Sequence, residues 1–223
     1  MPAVPGDLAR NQAGVVTRSQ ALASGLTKAN IQANLRSGRW RRIFTGVYAT
    51  FNGPLPRRSL LWAAALKAGD GAALSHETAA ELAGLVDRPA GCVHVTVPAS
   101  RTPFRIPGVV IHRSRRAVLG RHPTRTPPQT RVEDTIIDLT QTARRVEDAV
   151  GWLARAVGAR VTTADRLLSS MRQRRRVRWR RLLQSALHDV STGCHSVLEL
   201  RYLRDVERTS WTSSRRPSGA CLP

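Results

Sequence analysis

The sequence predicts an α+β protein in which a small helix-and-hairpin domain precedes a mixed α/β and then mainly helical domain. Three observations predict it. Two short capped helices and a hairpin lie near the N-terminus, apolar residues alternate within residues 93–112, and the apolar spacing becomes helical after Pro127 and Pro128. With 223 residues, the chain has room for one medium or two small domains.

The first predicted domain spans residues 7–51. Thr17 and Thr27 are suitable N-caps for two short helices, over residues 18–23 and 28–37, each closed by a glycine-containing turn. A hairpin follows over residues 39–50. Two short helices around a tight turn, followed by a hairpin, predict an N-terminal winged helix-turn-helix that binds DNA.

The second predicted domain spans residues 57–190 and is mixed α/β, then helical. Val93–Val97 alternates in strand fashion, and with Val109–His112 it is predicted to form an antiparallel pair across a proline-rich loop. Helices are predicted over residues 60–68, 76–83, 131–140, 144–157, 163–171 and 177–188.

Composition favours a polyanionic partner. The 36 Lys and Arg against 15 Asp and Glu give a net charge of +21, spread along the chain. A GC-rich genome would also encode such an arginine-rich, lysine-poor chain. The longest uncharged apolar run, Leu60 to Leu66, is too short for a membrane helix, and no signal-peptide pattern is present. The expected location is therefore cytoplasmic, without a membrane partner.

The predicted DNA-binding residues lie on the second helix of the motif and beside it. Lys28, Asn30 and Gln32 are expected to meet base edges in the major groove. Phosphate contacts are expected from Arg36, Arg39, Arg41 and Arg42 at the helix end and the wing. The other predicted DNA-binding residues are Arg18, Gln20 and Thr27. The alternative is a winged helix that serves as a protein-interaction module with an ordinary basic surface.

A second basic patch is an arginine run around Trp179. It comprises Arg172, Arg174, Arg175, Arg176, Arg178, Arg180 and Arg181. Such a run could hold phosphates and stack a base without sequence preference. The alternative is a solvated loop and first helical turn, with Trp179 packed inward. A non-specific RNA or DNA binder led by this run is a further reading.

Seven stretches of the chain, in order, resemble the AbiEi-type antitoxins of bacterial type IV toxin-antitoxin systems, in their actinobacterial branch. The stretches are Val15–Ala21, Gly25–Thr27, Leu35–Arg42, Gly46–Tyr48, Leu74–Ala80, Val93–Pro98 and Ile111–Ser114, within a resemblance over about residues 8–208. The resemblance implies a DNA-binding autoregulator that represses its own promoter. It also implies a nucleotidyltransferase-like toxin, antagonised without stable binding. The oligomeric state stays open.

The C-terminal part carries an alternative reading. Residues 193–208, with Glu199, resemble the first helix of a restriction-endonuclease-like domain of the very-short-patch-repair kind. The metal-binding Asp and Glu-x-Lys pattern that such a nuclease needs does not follow, and residues 209–223 lack any apolar period. The alternative is therefore a truncated, catalytically inactive endonuclease-like protein with a winged-helix targeting module and a disordered tail.

The sequence predicts no catalytic, metal or cofactor site. Ser75, His76 and Glu77 are consecutive helical residues, which point about 100° apart and cannot form a catalytic relay. The six histidines include no pair at i,i+4 on a helix. There is no glycine-rich phosphate loop. We therefore expect a protein that is not an enzyme.

Overall fold

The computed structural model of the chain describes residues 6–89, 91–102 and 104–191, which fall into two compact units. Unit 1 comprises the residues up to Leu74 together with 92–129, and unit 2 comprises residues 75–91 and those from Thr130 onward. In this part of the chain, nine helices and two three-stranded sheets form an α+β fold. The predicted fold class is thus confirmed at that level. The predicted endonuclease-like helix with Glu199 (193–208) and the predicted tail (209–223) lie outside the described residues.

Unit 1 begins with three helices and a small antiparallel sheet. The elements are α1 Gly6–Asn11, β1 Val15–Thr17, α2 Arg18–Ala23, α3 Lys28–Arg36, β2 Arg41–Phe44 and β3 Val47–Ala49. The strand order is β1-β3-β2, so β2 is an edge strand. Ala21, Ile31, Trp40 and Tyr48 are buried in one apolar cluster beneath the helices. This cluster fixes α2, α3 and the hairpin to one another.

The rest of unit 1 is a long helix and a second sheet. The elements are α4 Arg57–Ala68, β4 Ala73–Leu74, β5 Val93–Pro98 and β6 Val109–Ser114, with the strand order β4-β5-β6. Trp62 and Ala63 of α4 are buried together with Val15 and Val47 of the first sheet. Helix α4 therefore joins the core of the N-terminal elements.

The predicted antiparallel pairing of β5 with β6 is wrong. The two strands are parallel, with Val93 opposite Val109 and Val97 opposite Arg113. The chain between them runs back along the sheet instead of turning in a hairpin. Ile106 is buried and Gly108 has φ +72°, so the returning segment is anchored just before β6 begins. Of the prolines that predicted a turn, Pro98 is the last residue of β5, and Pro107 lies in the returning segment just before β6.

Unit 2 is helical in the described residues. Its elements are α5 His76–Leu82, α6 Val132–Thr142, α7 Val146–Gly158, α8 Ala164–Arg172 and α9 Arg180–Ser191. The apolar faces of these helices form one core that includes Ile136, Leu153, Leu167, Leu183 and Leu187. The predicted helices are confirmed, with ends displaced by one to three residues. Within the described part, no helix has the length and apolar character that crossing a membrane requires.

Candidate nucleic-acid interface

Helix α3 exposes one face and buries the other. Ile31 is 2% exposed and contacts the core formed by Ala21 and Leu26. The side chains that are exposed lie at positions i, i+1, i+4, i+5 and i+8, which form one helical face. They are Lys28, Ala29, Gln32, Ala33 and Arg36. This face carries two cations at its ends and small or amide side chains between them.

Capping boxes fix the N-terminal ends of α2 and α3. The Thr27 N–H donates to Asn30 Oδ1 at 2.9 Å, and the Asn30 N–H donates to Thr27 Oγ1 at 3.1 Å. Thr17 and Gln20 form the same arrangement at α2, at 2.8 and 3.1 Å. Gln20, Thr27 and Asn30 were predicted from the sequence to bind DNA. In the structure these three side chains fix the helix starts, and the oxygen of Asn30 is already engaged.

The turn between α2 and α3 is a tight one. Gly25 has φ +91°, a backbone conformation that side chains with a Cβ rarely adopt. The Leu26 N–H donates to the Ala21 carbonyl at 3.2 Å, and the Leu26 side chain is buried. The turn thus sets α3 against α2 through backbone and core together.

The hairpin of β2 and β3 presents arginines beside α3. Arg41 and Arg42 are exposed on the edge strand, and Arg39 is exposed just before it, with its Nε donating to Ser37 Oγ at 3.1 Å. The Arg18 N–H donates to the Gly46 carbonyl at 2.8 Å, and Lys67 Nζ donates to the Thr45 carbonyl at 2.9 Å. The hairpin tip is therefore held from α2 and α4.

The electrostatics of this region are one-sided. Residues 8–69 contain ten Lys and Arg and no Asp or Glu. The preceding carboxylate, Asp7, forms an ion pair with Arg10. The whole of unit 1 contains 17 cationic side chains and two carboxylates, Asp7 and Asp70. Such a surface attracts polyanions, and no carboxylate on or beside α3 would repel a phosphate.

The arginine run of unit 2 divides into structural and exposed members. Arg174 is 10% exposed and pairs with Asp134 at 2.8 Å and with Asp138. Arg180 donates to the carbonyls of Met171 and Arg174, and Arg178 donates to the Ala143 carbonyl at 3.0 Å. These three side chains tie the turn between α8 and α9 to the helices. The side chains that remain exposed without such a role in the structure are Arg172, Arg175, Arg176 and Arg181.

Trp179 does not offer a free ring face to a base. It packs half-buried against the unit 2 core, and the Arg178 guanidinium lies 3.7 Å from the ring centroid. This arrangement matches the inward-packed alternative for Trp179.

A histidine pair on the second sheet is a feature that sequence reasoning missed. His94 Nδ1 lies 3.0 Å from His112 Nε2, with ring centroids 5.3 Å apart. In this contact one ring nitrogen donates and the other accepts, and the tautomers of the two rings decide which of them donates. Burial and the neighbouring His94 lower the pKa of His112 from 6.5 to about 4. The parallel register that brings the two residues together was not predicted, and no spacing in the sequence marks it.

Comparison with known proteins shows a fold and not a family. No protein-family model matches the chain, and no curated protein matches it. Among solved structures, the chain is similar to the RV2827C protein from Mycobacterium tuberculosis, with a TM-score of 0.51 and 19% sequence identity. The similarity covers 81% of this chain and 74% of that chain. At this level of identity it shows a common fold alone.

Proposed function

We propose that the chain is a transcriptional regulator that binds double-stranded DNA through a winged helix-turn-helix at residues 7–51. The observation that carries the proposal is the outer face of α3, where Lys28, Gln32 and Arg36 are exposed in a segment without a single carboxylate. In this reading, α3 enters the major groove and the β2–β3 hairpin is the wing.

The exposed face of α3 has the chemistry for reading bases. A glutamine such as Gln32 can bond both N6 and N7 of adenine, and the methyl groups of Ala29 and Ala33 suit contact with a thymine methyl. Lys28 can meet guanine acceptors or a phosphate. Asn30 supports this face indirectly, because its capping bond to Thr27 fixes the start of the helix.

The surrounding arginines supply position and affinity. Arg36 ends the helix, and Arg39, Arg41 and Arg42 continue the cationic surface along the hairpin. Contacts of this kind to phosphates set the register of a protein on the duplex without carrying sequence information. Arg18 is exposed at the start of α2 and belongs to the same group.

The resemblance to AbiEi-type antitoxins extends this proposal to its biology. The DNA read would be the promoter region of the chain's own gene, which the protein represses. A nucleotidyltransferase-like toxin would be an indirect partner, antagonised without a stable complex. Neither role needs a catalytic residue, metal or cofactor in this chain.

Fluorescence anisotropy tests the DNA proposal. The full chain is titrated onto duplex DNA from its own upstream region and onto a scrambled duplex, over a series of salt concentrations. We expect a preference for the upstream duplex of about 10³-fold or more. Gln32→Ala should reduce that preference by about tenfold, because the variant cannot form the bidentate bond to adenine. Lys28→Ala with Arg36→Ala should weaken binding to both duplexes.

Two controls keep the outcome interpretable. Arg144→Ala changes an exposed arginine of unit 2 and should leave the preference intact. Circular dichroism confirms that each variant is folded. Equal binding of both duplexes by the native chain, unchanged by Gln32→Ala, would leave only a polyanion-binding surface. No binding to either duplex would favour the protein-interaction alternative.

A further inference from the structure

The turn that follows β6 exposes two adjacent aliphatic side chains. Val118 is 67% exposed and Leu119 is 69% exposed, the highest values among the large apolar residues of the described chain. Both sit in unit 1. These two neighbouring side chains form an apolar tip in water, and such a tip is a candidate contact surface for a partner.

Backbone hydrogen bonds and a buried side chain hold this turn in one conformation. The Ala117 N–H donates to the Ser114 carbonyl at 3.3 Å, and the Gly120 N–H donates to the Arg116 carbonyl at 2.7 Å. Ala117 is 2% exposed and anchors the turn from below. The next turn is ordered as well, because the ring nitrogen of His122 accepts from the backbone N–H of Arg125 at 3.2 Å. The apolar tip is therefore presented in a fixed position.

Cations surround this tip and carboxylates are missing from its segment. Arg115, Arg121 and Arg125 are exposed on either side of Val118 and Leu119. Residues 92–129 contain seven arginines and no Asp or Glu. An apolar tip flanked by arginines matches a duplex groove, in which bases lie between two rows of phosphates.

We propose that residues 115–125 form a second DNA contact in which Val118 and Leu119 enter the minor groove as an apolar wedge. Arg115 and Arg121 would bind the phosphates on either side, and the wedge would partly unstack a base step and bend the duplex. The inference rests on the proposed DNA binding of unit 1. It adds a contact that bends DNA, apart from the helix that reads its sequence.

Two fluorescence measurements test the wedge with the full chain. Resonance energy transfer between dyes at the two ends of a duplex reports bending, and 2-aminopurine placed at successive steps reports unstacking. We expect both signals to rise when the native chain binds. Val118→Ser with Leu119→Ser should abolish both signals and weaken binding by about tenfold, since the two serines bury far less apolar surface in the groove.

The matched control is Leu182→Ser, which changes another exposed aliphatic side chain, 56% exposed on α9. It should leave bending unchanged. Bending that persists in the Val118/Leu119 double variant overturns the proposal. A double variant that alters self-association or vesicle binding and leaves bending intact also overturns it, in favour of a second copy or a lipid surface.

Failure of the wedge and failure of the reading helix give different results. If α3 does not read sequence, upstream and scrambled duplexes bind equally, yet both are still bent by the native chain and not by the double variant. If the wedge is wrong, the sequence preference remains and no bend depends on Val118 and Leu119. Absence of binding to any duplex overturns both proposals.

Discussion

Single residues of α3 divide into those that build the helix and those that it exposes. Lys28, Asn30 and Gln32 were predicted from the sequence to contact base edges together. In a helix, residues four apart share a face, so Lys28 and Gln32 lie together while Asn30 lies away from them. Asn30 instead completes the capping box of Thr27. The spacing carries a signal for this, because Asn30 stands three positions after Thr27, where a capping box usually has Glu or Gln.

The lowered pKa of His112 predicts a pH-dependent contribution to the stability of the protein. The pKa of His112 is about 4 in the folded chain, against 6.5 when the side chain is free in solution. Below pH 6.5 the unfolded chain therefore takes up a proton that the folded chain refuses, so stability is full above this pH and falls as the pH drops toward 4. We expect the Tm to fall over this range, and to fall less in His112→Gln.

Thermal unfolding followed by circular dichroism, at several pH values in one buffer series, measures this effect. His188→Gln, an exposed histidine on α9, is the control and should keep the native pH dependence. An unchanged slope in His112→Gln would show that other groups govern the acid response.

Among the secondary-structure elements, α6 and the end of α8 are joined by ion pairs to one arginine in addition to their shared apolar core. Arg174 follows α8 and holds both Asp134 and Asp138 of α6. Its Nη2 also donates to the Asp134 carbonyl at 3.1 Å. The enclosed guanidinium of Arg174 therefore stabilises the fold. In the sequence, Arg174 cannot be told apart from the other six arginines of the run.

Replacing Arg174 should therefore act on stability. Arg174→Met removes the guanidinium that pairs with the buried Asp134 and the partly exposed Asp138, which should destabilise unit 2 by about 3–5 kcal/mol. Arg175→Met, at the exposed neighbouring position, should change stability by less than about 0.5 kcal/mol. Urea unfolding followed by circular dichroism compares the two. Equal midpoints for both variants would contradict the structural role of Arg174.

Local sequence signals predicted the positions of most helices and strands. They did not predict how strands from distant segments pair. The threonine caps at 17 and 27 located α2 and α3, and apolar spacing located the helices of unit 2. Strand β1 is only three residues long and shows no alternation, so it was missed. The parallel pairing of β5 and β6 depends on where the buried Ile106 anchors the returning chain. That position is set by tertiary packing and not by local sequence. The His94–His112 pair was missed together with that register.

At the scale of the whole molecule, the charge that is spread along the sequence is divided unevenly between the two structural units. Unit 1 carries 17 cations and two carboxylates, whereas residues 75–191 outside unit 1 carry 14 cations and ten carboxylates. Codon bias toward arginine would raise the number of cations in both units. It would not remove carboxylates from one of them. The uneven distribution of acids therefore favours a polyanion as the partner of unit 1.

The exposed arginines of unit 2 should then add affinity without sequence preference. We expect replacement of Arg172, Arg175, Arg176 and Arg181 by serine to weaken binding to upstream and scrambled duplexes by the same factor. The slope of log K against log salt should become shallower by about 0.9 for each phosphate that the variant no longer neutralises. The double variant Arg41→Ser with Arg42→Ser, in the hairpin, is the unit 1 variant with which the affinity and the salt slope of the quadruple variant are compared. Anisotropy titrations over a salt series give both quantities. A slope that does not change in the quadruple variant would show that these four arginines form a solvated face, and a changed preference would mean that unit 2 takes part in reading the sequence.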